Sequence, residues 1–251
     1  MEVALALHEL TKGFLVPAGR VGVLDRVSFE VAHQGWTTLI GPSGCGKTTL
    51  VRILAGLLAA DSGEVISRIR CAPGRAVAYM PQSDTLLPWR TALGNALVPS
   101  EIDRRPRREA LREARGLFSR FGLSGFEDLY PVELSGGMRQ RLALIRTFLA
   151  HRDLLVLDEP LGALDALTRA RLQDWLMAVW RDSGKTVFLV THDVEEALLL
   201  SDRIVLLSAR PARVRRVIDV DTPRPRSRSG VDLVTRKEDL LRSIYAGDDD
   251  G

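Results

Sequence analysis

With 251 residues, the chain suits one large domain or a core with a smaller lobe, and an apolar fraction of 45% supplies a substantial hydrophobic core. No apolar run approaches the ~20 residues that cross a bilayer, and no charged-then-apolar leader opens the chain, so the expectation is a cytosolic protein that reaches a membrane only through a partner. Net charge is only +3, and the two cysteines, Cys45 and Cys71, provide neither a disulfide framework nor metal-ligand spacing.

Val3–Leu7, which alternates larger and smaller apolar residues, and Val27–Val31, which alternates apolar and polar ones, predict antiparallel strands, with turns around Gly13 and at Pro17-Ala18-Gly19. Thr37–Ile40 predicts a short buried strand, and Thr49–Ala55 the first turns of a helix. Between them, Gly41-Pro42-Ser43-Gly44-Cys45-Gly46-Lys47-Thr48 fits the phosphate-loop pattern G-x-x-x-x-G-K-[ST] at every fixed position. Glycines let consecutive backbone N–H groups turn toward phosphate oxygens, Lys47 supplies a point charge to β- and γ-phosphates, and the Thr48 hydroxyl can ligate Mg²⁺. The helix N-terminus then faces the anion. A glycine-rich turn that happens to carry a lysine is the alternative, and the flanking strand and helix argue against it. Cys45 is expected to be a small residue that fits the turn; a helix N-terminus also lowers thiol pKa, which leaves oxidation sensitivity open.

Gly63–Ile66 starts another strand after a turn at 61–63, and Ala76–Met80 forms a further apolar strand ending at Pro81-Gln82. From about Leu86 to Thr147 the pattern turns helical: Leu111, Ala114, Leu117, Phe118 and Phe121 recur at helical spacing, and Gly122 breaks the run. This reads as a helical insertion in an α/β core. Leu154–Leu157 and Thr186–Val190 follow as buried strands, with helices over 166–181 and 194–200 and one more strand at Arg203–Leu207. Strands alternating with helices predict a mainly parallel sheet. Beyond 222 the chain is rich in Pro, Arg and Ser; a short helix over 232–245 and disordered ends are expected.

Arginines crowd two segments, Arg104, Arg105, Arg107, Arg108, Arg112 and Arg115, then Arg210, Arg213, Arg215, Arg216, Arg224, Arg226 and Arg228. A solvated face is the simplest reading; anionic headgroups or nucleic acid are the alternatives. No RNA-binding aromatic motif or zinc-finger spacing supports nucleic acid, so no such partner is expected.

Leu154–Leu157 ends in Asp158 and Glu159. Beside a phosphate loop, a carboxylate at the end of a neighbouring strand helps hold Mg²⁺, a role that falls to Asp158. Glu159 is then placed to orient and deprotonate an attacking water. Leu134-Ser135-Gly136-Gly137-Met138-Arg139-Gln140-Arg141 resembles the LSGGQ signature of ATP-binding cassette (ABC) ATPases, with Met138 in place of the usual Gln. The other motifs of that family follow in family order over about residues 3–220. Gln82 resembles the Q-loop glutamine, Leu161–Asp165 the D-loop with Gly162 where Ser is common, His192 the switch histidine, and Phe14 the aromatic that stacks on adenine. Each also has a plainer reading: a strand-end turn residue for Gln82, a helix cap for His192, a core aromatic for Phe14, and an N-cap for Ser135.

The resemblance implies an α/β fold, a P-loop NTPase (RecA-like) core with an antiparallel β subdomain and an inserted helical subdomain. The ATPase domain would span 1–222, with the insertion at about 86–147, and 223–251 would be a partly disordered C-terminal tail. It implies ATP and Mg²⁺ as ligands. ATP would lie on Phe14 and the loop Gly41, Pro42, Ser43, Gly44, Cys45, Gly46, Lys47, Thr48 and Thr49, with Ser135, Gly136, Gly137 and Asp165 supplied in trans by a second, head-to-tail copy. Thr48, Gln82 and Asp158 would hold Mg²⁺, and Glu159, His192, Lys47 and Gln82 would serve catalysis. Leu86-Leu87-Pro88-Trp89 resembles the "LLPW" stretch of nitrate, sulfonate, taurine and pyrimidine-precursor importers. The segment Gln82–Asn95 would therefore meet transmembrane permease subunits at the cytoplasmic side of a membrane, with a solute-binding protein acting indirectly. A soluble ABC-type ATPase acting on nucleic acid or ribosomes, an exporter, or a lipoprotein-release ATPase are the alternatives.

Overall fold

The computed structural model describes residues 2–17, 19–69, 77–162 and 164–245. Cys71, Ala76 of the predicted strand, Ala163 and the expected disordered end beyond 245 lie outside the described residues. Two long strands, β1 (Val3–Val16) and β2 (Gly19–Ala32), form an antiparallel hairpin in which Leu5, Leu7 and Leu10 face Val31, Phe29 and Val27. The last pair of the ladder before the hairpin reverses is Val16 with Gly19. Gly13 pairs with Gly22 inside the ladder, so the turn expected around Gly13 is strand instead. β4 (Ser62–Ser67) pairs with β1 to complete a three-stranded sheet.

The second sheet has the order β5-β6-β7-β3-β8-β9, built from Val77–Met80, Leu154–Asp158, Thr186–Val190, Trp36–Ile40, Arg203–Leu207 and Val214–Asp219. The first five strands are parallel, and β9 runs antiparallel to β8 at the edge. β9 escapes the sequence reading because Arg215 and Arg216 interrupt its alternation. β6 and β7 read as unbroken apolar runs because both faces of the sheet are covered. Leu155, Leu157, Val187 and Leu189 pack on the helical side, while Leu154, Val156, Phe188 and Val190 pack toward the small sheet and α1 (Lys47–Leu54). Full burial of each such side chain contributes about 1.5–3 kcal/mol. Phe29 stacks on Phe188 at 5.8 Å between ring centroids, tying the two sheets together.

After β5 the chain leaves the sheet for α2 (Ala92–Ile102), α3 (Arg107–Arg120), a 3₁₀ turn (Pro131–Glu133) and α4 (Gly136–Phe148). Ala114, Leu117, Phe118 and Phe121 are buried, as their spacing predicts, and Phe121 meets Trp175 of α5 (Ala166–Ser183) at 4.2 Å. α6 (Val194–Leu200) follows β7, and α7 (Val231–Tyr245) packs on it through the buried Leu233 and Leu240.

Of the two arginine-rich segments, Arg104, Arg107, Arg108, Arg112, Arg115, Arg213, Arg215 and Arg216 are exposed as a solvated face would be, but Arg224, Arg226 and Arg228 in the tail are half-buried and engaged. Arg226 donates to the carbonyls of Leu198, Leu199 and Ser201 at the C-terminal end of α6, and to those of Val220 and Thr222. Arg224 pairs with Asp202, donates to Leu200 O and lies over the Trp180 ring at 4.9 Å. Arg228 donates to Ala170 O, Gln173 and Asp174 of α5. Guanidinium groups here serve as caps for helix-end carbonyls, where positive charge also opposes the helix dipole.

Candidate active site

β3 delivers the chain to the loop Gly41–Gly46, which turns into α1 through two left-handed glycines, Gly44 (φ 74°) and Gly46 (φ 124°). A Cβ on Gly46 would stand 2.8 Å from Val23 Cγ1, so both the backbone angle and the packing demand glycine there. Gly46 caps α1 with no side-chain hydrogen bond, which leaves the first-turn N–H groups for a ligand. Lys47 is only 8% exposed, and its Nζ donates to Gly41 O (2.8 Å) and Pro42 O (2.9 Å). The lysine rests on the loop's own carbonyls and is poised to exchange them for phosphate oxygens.

The loop floors a cleft of about 720 Å³. Its wall includes Phe14, Ser43, Gly44, Gly46, Lys47, Thr48, Thr49, Gln82, Glu159 and His192, so the structure gathers these predicted residues from five chain segments. Phe14 is 40% exposed, not a core aromatic, and Lys12 Nζ lies 5.5 Å from its ring centroid. Gly41 and Pro42 do not line the cleft; they act through the carbonyls that seat Lys47. Cys45 points inward at 1% exposure, and burial raises its thiol pKa. Desolvation of the thiolate outweighs the favourable field of Lys47, which suits a small residue that fits the turn.

Asp158, at the end of β6, is 2% exposed and sits behind the cleft wall. Burial raises its pKa, while hydrogen bonds from Thr48 and Tyr79 oppose that rise. Its Oδ2 is buried without a hydrogen-bond partner. An orphaned carboxylate oxygen beside a threonine hydroxyl fits the oxygen-ligand chemistry of Mg²⁺.

Two predicted side chains converge on one oxygen of a third, Glu159. Gln82 Nε2 donates to Glu159 Oε2 at 3.2 Å, and His192 Nδ1 lies 3.4 Å from the same atom. Glu159 takes a positive φ of 49°, and its N–H donates to Val190 O at 2.8 Å, which turns its carboxylate out of the sheet edge into the cleft. His192 follows Thr191 at the end of β7 and precedes Asp193, whose Oδ1 caps α6 by accepting from Glu195 N and Glu196 N. The capping role thus belongs to Asp193, and His192 is left exposed toward the cleft. Glu196 is 2% exposed; its Oε2 accepts from Thr191 Oγ1 at 2.5 Å, and burial pushes its pKa up to about 7.

Ser135, Gly136, Gly137 and Asp165 lie away from this cleft. Ser135 caps α4 by accepting from Met138 N at 3.3 Å, and Asp165 caps α5 by accepting from Thr168 N at 3.0 Å. The Thr168 hydrogen bonds hold the Asp165 carboxyl below its usual range. A Cβ on Gly137 would meet Leu164 Cδ2 at 3.1 Å, so the signature glycine is fitted against the D-loop segment of its own chain. Sequence reasoning missed Val16, Val21 and Val23, which give the cleft its apolar end, and Arg210. The valines carried a signal in their alternation about the hairpin turn. Arg210 lies 166 residues from its loop partner Gly44 and carried none.

A protein-family model described as "ABC transporter" matches residues 24–162. An uncharacterised ABC transporter ATP-binding protein of Methanocaldococcus jannaschii is 42% identical over 246 residues, covering 97% of this chain and 92% of the relative. An aliphatic sulfonates import ATP-binding protein of Bacillus cereus is 37% identical, covering 98% of this chain and 97% of the relative. A formylaminopyrimidine import ATP-binding protein of Halalkalibacterium halodurans is 44% identical, covering 75% and 74%. The dimeric structure of a bacterial ABC transporter cassette superposes with a TM-score of 0.77 at 27% identity, covering 87% of this chain and all of that one. The same cassette in a post-hydrolysis state bound to ADP and Pi gives the same TM-score. The chain belongs to the ABC transporter family. Within it, the chain is an ATP-binding cassette, an ATPase on a P-loop NTPase fold.

Proposed function

We propose that this chain is the ATP-hydrolysing subunit of an ABC importer, working as a head-to-tail pair at the cytoplasmic face of a membrane. The observation that carries the reading is the meeting of Gln82, Glu159 and His192 at one carboxylate oxygen above the phosphate loop. Phe14 and the hairpin valines receive the base; the loop N–H groups, Lys47 and Thr49 receive the phosphates. Thr48, Asp158 and Gln82 would hold Mg²⁺, which when bound neutralises charge on the β- and γ-phosphates. Glu159 accepts a proton from the attacking water, and His192 stabilises charge that develops on the γ-phosphate.

Ser135, Gly137 and Asp165 do not line the cleft of their own chain. A second copy, turned head to tail, closes it with those donors at the start of α4, and two such sites form by symmetry. Hydrolysis removes the bridging phosphate and releases the pair, with Gln82 relaying the change to the helical insertion.

The permease contact is assigned to Gln82–Asn95. Asn95 is fully buried; its Oδ1 accepts from Leu87 N, and its Nδ2 donates to the carbonyls of Leu87, Arg90 and Thr91. One side chain therefore rigidifies the turn that presents Trp89, 72% exposed, to a partner. Among the described residues no helix is long and apolar enough to cross a membrane; in this reading the permease is a separate chain, as the resemblance to importer subunits implies. The relatives' names give different cargoes, and the solute is not carried over; a solute-binding protein enters through the permease. Glu159→Gln should abolish phosphate release while leaving ATP binding intact. Full ATPase activity in that variant refutes Glu159 as the base.

A further inference from the structure

Lys47 and Arg210 are the two permanent cations on the cleft wall among the described residues. They are supplied differently. Lys47 comes with the loop, whereas Arg210 reaches it from the β8–β9 turn. Arg210 Nε and Nη2 both donate to Gly44 O, at 3.1 and 2.6 Å. That uses two of the five guanidinium N–H donors. No carboxylate among the described residues pairs with Arg210, in contrast to Arg213 three residues on, which pairs with Asp25 at 2.5 Å.

The turn that carries Arg210 is itself fixed. Ser208 N donates to Arg213 O at 2.9 Å, and Ser208 Oγ accepts from Arg213 N at 3.0 Å. Ala212 N donates to Val23 O at 2.8 Å, and Asp25 N donates to Ala212 O at 2.9 Å. The turn is thus docked on β2, the strand that supplies Val21 and Val23 to the cleft. Charge adds a second argument. Asp158 and Glu159 put two carboxylates beside a pocket that receives a polyanion, and Lys47 alone does not offset them. A planar guanidinium with unused donors, held rigidly at the loop's rim, suits phosphate oxygens better than solvent.

We propose that Arg210 is a further nucleotide-binding residue, clamping Gly44 of the loop while its remaining N–H groups contact the phosphate chain of a bound nucleoside di- or triphosphate. The inference rests on the nucleotide-binding reading above. It is tested by titrating ATP, ADP and adenosine into wild type, Arg210→Gln, Arg210→Lys and Lys47→Ala. Arg210→Gln keeps a donor for Gly44 O but loses the charge. It should bind ATP and ADP about tenfold more weakly, bind adenosine as wild type does, and show a shallower salt dependence; Arg210→Lys should recover part of the loss. Unchanged ATP affinity in Arg210→Gln, or an equal loss for adenosine and ATP, overturns the contact. Wild type that binds no nucleotide, with or without Lys47, overturns the parent reading instead.

Discussion

The phosphate-loop cleft and the C-terminal tail are both rich in cations and helix ends, yet they are finished to different degrees. In the cleft, α1 begins without a side-chain cap, Lys47 borrows two loop carbonyls, and Asp158 Oδ2 has no partner. In the tail, Arg224, Arg226 and Arg228 are engaged with the carbonyls that close α6, with Asp202 and with α5. Polar groups left open in a folded protein are costly unless a ligand completes them. The cleft therefore holds its polar groups in reserve for a ligand, while the tail spends the same chemistry on the fold. Positive charge in a sequence does not by itself say which of the two it serves.

Substitutions can break or sharpen that contrast. The largest effect belongs to Lys47→Ala, which removes charge-assisted hydrogen bonds each worth about 1.5–3 kcal/mol to a phosphate oxygen. ATP affinity by equilibrium titration should fall by about 1,000-fold, with the melting temperature of the nucleotide-free protein nearly unchanged. A large loss of stability instead would mean that Lys47 is structural, as the tail arginines are. Arg226→Ala is the mirror experiment. It strips several helix-end carbonyls of their donor at a cost of about 3 kcal/mol, and the melting temperature should drop by roughly 10 °C. Stability equal to wild type would show that water replaces the guanidinium freely.

The smallest effect lies between the two regions, at Glu196 on α6. Its folded carboxyl has a pKa of about 7 against an ordinary value of 4.5, because burial disfavours the charged form. Between those values the folded state keeps a proton that the unfolded chain releases, so stability falls as pH rises through that window. The groups facing Glu196 are Thr191, Asp193, Arg169 and Glu159. Glu196→Gln should flatten the decline by roughly 5 °C between pH 5 and 8 in thermal melts. An identical pH slope in both proteins would assign the dependence to other carboxylates.

Much of the site was legible because its parts are short-range. The loop glycines, Lys47 and Thr48 sit in one octet, and Asp158 and Glu159 end one apolar strand, so local spacing carries the chemistry. Gln82 and His192 needed the order of several motifs, since each alone reads as a turn residue. Parallel strands β3, β6 and β7 announced themselves by apolar runs covered on both faces. Antiparallel β9 did not, because its two arginines hide the alternation of an edge strand. The tail arginines were misread for a related reason: a carbonyl acceptor leaves no mark in sequence, so Arg226 looks the same whether it faces water or caps α6. Arg210 shares that blindness, since Gly44 O lies in a distant segment.

The Arg226 cap also bears on how the chain is assembled during translation. α6 is complete by Leu200, but the donor for its last carbonyls is made 26 residues later. Until that segment leaves the ribosome, the end of α6 has only solvent to satisfy it. The far end of α6 therefore gains its cap only once Arg226 has emerged, whereas its first turn, held by Asp193 beside His192, has its cap within reach much earlier.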